Sequence, residues 1–296
     1  MAGIFNKFAI ATSVASMTAL VGTPALAASL AGPTVNGQHL TYDSDGTTTF
    51  LVDNNAANWG AALSGDGNIE LAGQGGTPNA VGFGEFDSFD VIMGGSGYVN
   101  QSATTLTGTL DGTKYTFSSL TYDDWYGGPI DGYSNFAEKW MTEAWNDTST
   151  GVQNSFASNG AADVDAALLG IAATDYSFFR RFSDPNIAYV NNDGGSFNFG
   201  LAAHLNHGSG LKLSEVVKVT IGEGDDAVTE LFYGLGQADA SGVYEEGDGV
   251  SHSGLYNFNI VEGGGVLSED VPEPSTLLGL MAIGGLVAAT KRKSQK

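Results

Sequence analysis

The sequence predicts a mainly β fold: a single β-sandwich or jelly-roll-like domain with one or two short inserted helices. An N-terminal signal helix and a C-terminal hydrophobic helix are expected to flank it. Three observations lead there. Short runs of alternating apolar and polar residues recur along the chain, the period of half-buried strands. Asp-Gly and Asn/Asp-rich turns separate them. Glycine is also abundant, 43 of 296 residues, about twice the usual ~7%. Many short strands joined by glycine-rich turns suit a sandwich or barrel.

Taken in order, the first hairpin is expected around Asp43-Ser44-Asp45-Gly46, joining His39–Tyr42 to Thr48–Val52. Thr105–Leu110 and Thr113–Phe117 flank Asp111-Gly112, a pair suited to a type I′ turn because both residue types tolerate positive φ. Two helices interrupt the middle. Asn135 can cap a helix from Phe136, with Glu138 at the reciprocal position of a capping box. Phe136, Trp140, Met141, Ala144 and Trp145 then share one face, the pattern of a helix packed on a sheet. A shorter helix is expected from Asp163, burying Val164, Leu168 and Ile171. A third hairpin joins Ile187–Val190 to Ser196–Phe199 through Asn191–Gly195. Val217, Val219 and Ile221 alternate with Lys218 and Thr220, with Val228–Tyr233 as partner across the loop Gly222-Glu223-Gly224-Asp225-Asp226. Tyr256, Phe258 and Ile260 mark a last strand.

The two ends read as addresses rather than as fold. Lys7 precedes an apolar run from Phe8 to Val21, and Thr23-Pro24-Ala25-Leu26-Ala27 places small residues at −3 and −1 of a cut between Ala27 and Ala28. Residues 1–27 are therefore expected to be a secretory signal peptide, removed by signal peptidase. At the other end, Pro272-Glu273-Pro274 leads into the apolar run Leu277–Thr290, followed at once by Lys291-Arg292-Lys293. Those fourteen residues would rise only ~21 Å as a helix, short against a ~30 Å hydrocarbon core. They suit a transient transmembrane helix, with the basic cluster as its cytoplasmic stop.

The P-E-P triplet, the short glycine-bearing apolar helix and the terminal basic cluster together resemble the bacterial PEP-CTERM sorting signal, here residues 271–296. The resemblance implies recognition and removal of the tail by an exosortase. It further implies transient inner-membrane anchoring, then delivery to the cell surface or extracellular matrix of a Gram-negative or cyanobacterial cell. The segments Asp184-Pro185-Asn186-Ile187 and Gly200–Leu205 also look similar to uncharacterised members of this sorted class. None of this speaks to the chemistry of residues 28–270, which read as one extracellular domain with no internal repeat and no linker.

Charge excludes several functions. The chain has 33 acids against 11 bases, a formal net charge of −22. All but one of the acids lie in residues 28–270, against Lys114, Lys139, Arg180, Arg181, Lys212 and Lys218. Such a domain repels nucleic acid and anionic membrane faces. With no cysteine, disulfides, thiolate metal sites and cysteine catalysis are excluded. Arg180-Arg181, the one adjacent arginine pair in this domain, is expected to neutralise nearby carboxylates.

A search for chemistry returns no nucleophile elbow, phosphate loop, dinucleotide fingerprint or zincin helix. His204 and His207 are three apart, but zinc needs further ligands that the spacing does not identify. Ser251-His252-Ser253 sets a histidine between hydroxyls, yet strand neighbours point to opposite faces. No motif demands a cofactor. Calcium is the candidate ion, because oxygen-rich loops suit its six to eight ligands. Its candidate ligands are Asp43, Asp45, Asp193, Asp225 and Asp226, with Asp123-Asp124 read as a further polar loop.

The expectation is thus an exported surface or matrix protein, non-enzymatic, structural or adhesive, whose loops contact extracellular polysaccharide. Two alternatives stand beside it. One is a lectin-like module in which Trp59, Trp125 and Tyr126 stack on sugar rings. The other is a secreted hydrolase using paired carboxylates.

Overall fold

A computed structural model describes residues 28–64, 66–72, 102–147, 153–154, 157, 161–168, 179, 182–193, 196–205 and 212–261. The signal segment through Ala27, the whole tail, and Ile171, Arg180, Arg181 and His207 lie outside the described residues. Within them the chain is mainly β, in two sheets with a few short helices.

The larger sheet runs β12 (Asp239–Ala240), β14 (Gly254–Val261), β9 (Ser196–Ala203), β8 (Asn186–Asp193), β5 (Asn68–Leu71), β3 (His39–Ser44), β4 (Thr48–Val52) and β13 (Tyr244–Glu245). Strand β1 (Ala28–Ser29) also pairs with β8. The smaller sheet runs β11 (Val228–Phe232), β10 (Val217–Ile221), β7 (Thr113–Ser118), β6 (Thr105–Leu110) and β2 (Ala31–Asn36). The β4–β13 pair is parallel, whereas the hairpins β3–β4, β6–β7, β8–β9 and β10–β11 are antiparallel. Leu30, between β1 and β2, is buried at the point where the chain passes from one sheet to the other.

Inward residues of both sheets make one core. Leu106, Tyr115, Phe117, Val217 and Val219 from the smaller sheet meet Ile69, Ile187, Phe197, Phe199 and Leu201 from the larger. The contact is aromatic at its centre: Tyr115 stacks on Phe197 at 4.2 Å, and Phe117 meets Phe199 edge-on at 5.4 Å. Such pairs contribute beyond the area they bury.

A second core forms around helices α2 (Tyr122–Tyr126) and α3 (Phe136–Asp147). Helix α3 starts where the sequence places it. Asn135 Oδ1 accepts from the Glu138 N–H at 2.9 Å, while the Glu138 carboxylate takes the Ser134 N–H at 2.8 Å, one residue before the expected partner. Phe136, Ala137, Trp140, Met141 and Ala144 are buried, and Trp145 is partly so. The short helix from Asp163 spans 164–168, with Asp163 Oδ1 accepting from the Ala166 N–H at 2.8 Å. Ala167 is its buried residue; Val164 and Leu168 are only partly buried against the second core.

The expected hairpins are present, with shifts at their ends. Asp111 and Gly112 both take positive φ, 49° and 83°, as a type I′ turn requires. Strand β3 continues through Ser44, so Asp43 is a strand residue and Asp45 holds the turn. Asp45 Oδ1 accepts the Thr47 and Thr48 N–H groups at 2.9 and 2.7 Å. Asp193 likewise belongs to β8. Asp123 and Asp124 sit in α2 rather than in a loop. There Asp124 closes a capping box with Thr121 and pairs with Lys218 at 2.7 Å. Helix α1 (Ala56–Ser64) is not foreseen, although Asn55 caps it through the Ala57 and Asn58 N–H groups.

On the outer face of the larger sheet, Tyr189 lies across Gly200, its direct partner on β9. A Cβ there would stand 2.4 Å from the ring, so glycine is required by closeness. The Tyr189 hydroxyl donates to Asn257 Oδ1 at 2.8 Å, and burial pushes its pKa up to about 12. A phenol whose folded value exceeds its unfolded value of ~10 holds the fold fully below pH 10. That contribution is lost as pH rises through 12. Alkaline unfolding of the wild type should therefore steepen between pH 10 and 12 by up to about 2–3 kcal/mol. In Tyr189→Phe that part of the slope should be absent, and an unchanged slope would sink the assignment.

Candidate functional site

The sorting residues Pro272, Glu273, Pro274, Lys291, Arg292 and Lys293 lie outside the described residues. Ala28, expected to begin the exported chain, is already paired in β1 with Asn192. Among the described residues no helix is long and apolar enough to cross a membrane.

The residues proposed for calcium fall on three separate hairpins. Asp43 and Asp45 are in β3 and its turn, Asp193 ends β8, and Asp225 and Asp226 form a 3-10 turn between β10 and β11. Asp43 and Asp45 already accept backbone N–H groups, from Ser44 and from Thr47 and Thr48. Those bonds hold the exposed Asp45 carboxyl below its usual pKa. Among the described residues no three His, Asp or Glu side chains converge as a metal cluster.

Of the candidate stacking aromatics, Trp125 is fully buried in the second core, its indole N–H given to Ser183 Oγ at 2.8 Å. No sugar ring can reach it, which corrects that expectation. Trp59, on α1, is partly buried against the first core and donates to His39 Nε2 at 3.1 Å. Tyr126 is partly buried and lies 4.7 Å from Tyr122, ring to ring.

Serine and histidine do meet, though not as sequence neighbours. Ser251 Oγ donates to Asp248 Oδ2 at 2.5 Å and lies 3.1 Å from His204 Nε2. A hydroxyl has one proton, and here the carboxylate takes it. Against the upward push of desolvation, the bonds from Ser251 and Val250 hold Asp248 below its ordinary pKa. His204 then donates to Ser251 instead of drawing its proton, the reverse of nucleophile activation.

The densest polar cluster was not anticipated. Tyr42, Thr49, Asn68, Glu70 and Asn186 share one face of the larger sheet, on pairings Tyr42–Asn68, Ser44–Thr49 and Glu70–Asn186. All five are buried, and the intervening Ile69 and Ile187 point into the first core. His252 closes over them at φ 63°. It bonds Thr49 Oγ1 through Nδ1 at 2.7 Å and the Asn186 amide nitrogen through Nε2 at 3.0 Å. The imidazole stands edge-on to Tyr42 at 4.7 Å. Burial lowers its pKa to about 4, the charge of His204 adding to and that of Asp248 opposing the shift. The ring is therefore neutral at pH 7, with Nε2 accepting from Asn186 and Nδ1–H donating to Thr49.

Two further acids, Glu215 and Asp184, stand beside Glu70 at the cluster. The Asn186 N–H donates to Glu215 Oε2 at 3.0 Å, and the Tyr42 hydroxyl to Glu70 Oε2 at 3.4 Å. Desolvation, then the charges of Asp184 and Glu70, push Glu215 well above the carboxylate range. Asn68 Oδ1 and Asn186 Oδ1 are buried without a hydrogen-bond partner. No sequence signal pointed to this set as a set, because its members come from β3, β4, β5, β8 and the segments before β8, β10 and β14.

The family model of the PEP-CTERM protein-sorting motif matches residues 270–293. No curated protein and no solved structure matches the chain. The chain therefore carries a PEP-CTERM sorting signal, the tail that an exosortase recognises, and is an exported protein of the cell surface or extracellular space.

Proposed function

We propose that this PEP-CTERM-tailed chain is a non-enzymatic structural or adhesive protein. In this reading residues 28–270 form a β-sandwich that contacts extracellular polysaccharide after signal peptidase has cut at Ala27–Ala28. The chain is held briefly at the inner membrane by its tail helix before an exosortase releases it. The observation that carries the reading is the sorting motif at residues 270–293. Two features support the non-enzymatic part. The Ser251 hydroxyl donates its hydrogen bond to Asp248 rather than to His204, and Glu70, beside Glu215, is buried rather than ranged along an open surface.

The net charge of −22 favours neutral over acidic polysaccharides, because like charges repel at short range. A glycan array probed with the exported protein, run beside a panel of polysaccharide and ester substrates, tests this. The expected result is weak, broad retention on neutral polymers with no product released. The lectin reading is favoured by the Tyr122–Tyr126 pair, partly exposed on α2. It gains if one glycan binds tightly and Tyr126→Ala abolishes it. Product release from any substrate would overturn the proposal in favour of a hydrolase.

A further inference from the structure

Residues 241–253 join β12 to β14 and carry β13, the strand that ends the larger sheet. Of these residues only Val243 and His252 are buried. The backbone reaches β4 through the Tyr244 and Glu246 N–H groups, which donate to the Thr47 and Thr49 carbonyls at 3.1 and 2.9 Å. Ser251 Oγ lies 3.1 Å from His204 Nε2, and Ser253 Oγ accepts the Leu205 N–H at 3.1 Å. The side chain that enters the buried polar cluster is His252, bonded through both ring nitrogens, to Thr49 of β4 and to Asn186 of β8. Ser241 ties the start of the segment to the same point. Its hydroxyl donates to the His252 carbonyl at 2.5 Å and its N–H to the Ser253 carbonyl at 3.0 Å. The ring thus pins both ends of a segment that buries little else, the kind of unit that opens at lower cost than core strands.

We propose that His252 is the pin of an acid-released latch: protonation of its ring frees residues 241–253 from the larger sheet and uncovers the edge of β4 at Thr48 and Thr49. In the closed arrangement a proton added at Nε2 meets another donor, the Asn186 amide nitrogen. The added charge would also be cut off from water, since His252 is 4% exposed. Burial holds the closed ring at a pKa of about 4; Asp248 draws a proton toward it and His204 opposes one, but burial outweighs both. The other titratable groups about the cluster are Tyr42 on β3, Glu70 on β5, and Asp184 and Glu215 before β8 and β10. Glu215, raised well above the carboxylate range, acts in the opposite sense, since its hold on the fold grows as pH falls. A histidine depressed in the closed state holds fully above its ordinary ~6.5 and loses that hold as pH falls toward 4. The released form gains about tenfold per pH unit across that window, up to about 300-fold. An exported chain meets the pH of its surroundings directly, so the latch would be set by conditions outside the cell.

Hydrogen exchange of the exported protein between pH 7 and 4 tests this, read as protection factors so that the intrinsic pH dependence drops out. Protection of the Tyr244 and Glu246 amides should fall about tenfold per pH unit below 6.5, while the Tyr256 and Phe258 amides of β14 keep theirs. His252→Asn suits the φ of 63°, because asparagine tolerates the left-handed region. It should fold and show no such pH dependence. By NMR the wild-type ring should stay neutral down to about pH 4 while the latch is closed. A ring titrating near ~6.5, protection unchanged from pH 7 to 4, or an equal slope in His252→Asn would each overturn the proposal. So would loss of protection in β14 alongside Tyr244, which is acid unfolding of the whole sheet. The polysaccharide reading stands or falls separately, on the glycan array.

Discussion

Replacing Pro272, Glu273 and Pro274 together with alanine should leave export intact and strand an unprocessed, membrane-held chain, an all-or-none change in the mature protein. Proline on either side of Glu273 keeps that stretch out of regular helix, so an enzyme at the bilayer surface meets an extended backbone. With alanines, a helix such as the apolar run Leu277–Thr290 is expected to form would be free to extend upstream through it. Neutralising Lys291, Arg292 and Lys293 acts differently. It removes the charge expected to act as a cytoplasmic stop and should release full-length protein. Mass spectrometry of the C-terminus in the native host reads both. Surface protein that still ends at Lys296, with the alanine variant behaving alike, would reduce the tail to a plain anchor.

The largest stability effect is expected at Trp125. Its ring packs against Phe136 at 4.9 Å, Phe179 at 4.7 Å and Trp140 edge-on at 5.7 Å. Its N–H is the donor to Ser183 Oγ, whose own proton goes to the Phe179 carbonyl at 2.8 Å. Trp125→Ala removes a large buried side chain and should cost about 3–5 kcal/mol, a substantial share of the ~5–15 kcal/mol that holds a domain together. Trp125→Phe keeps most of the packing and loses the hydrogen bond, and should cost roughly 1–3 kcal/mol. Equilibrium urea unfolding distinguishes them. A loss under ~1 kcal/mol for the alanine variant would mean that the second core is not close-packed.

How legible the fold was follows from where each strand lies. Val217, Val219 and Ile221 alternate with Lys218 and Thr220 because one face of β10 is buried and the other is not. Strand β5 gave no such signal. Its four residues Asn68, Ile69, Glu70 and Leu71 are all buried, so its polar side chains face protein rather than water and the period of two carries no meaning. Strand β2 shows no clean alternation, because Gly32-Pro33 interrupts it where the register shifts between Ala31 and Thr34. The sorting tail was legible because it is contiguous. The buried polar cluster was not, since Glu70, Asn186 and Glu215 meet only once the sheet is assembled. Two fragments singled out in advance, Asp184-Pro185-Asn186-Ile187 and Ser251-His252-Ser253, each supply it a residue, Asn186 and His252.

The passage of the chain between sheets at Leu30 has a consequence in time. Export delivers the amino end first, yet Ala28 and Ser29 find their partners only at Asn192 and Asn191, and Thr34–Asn36 only at Thr105–Thr107. Contacts so distant along the chain form slowly, since a long loop must close before they are rewarded. Residues 28–36 therefore emerge early and are held in reserve while most of the chain is still crossing. Their docking, with Leu30 sealed between the sheets, is a closing step of folding outside the cell membrane, and until it occurs β6 and the end of β8 at Asn191–Asn192 present an open edge to any other strand nearby.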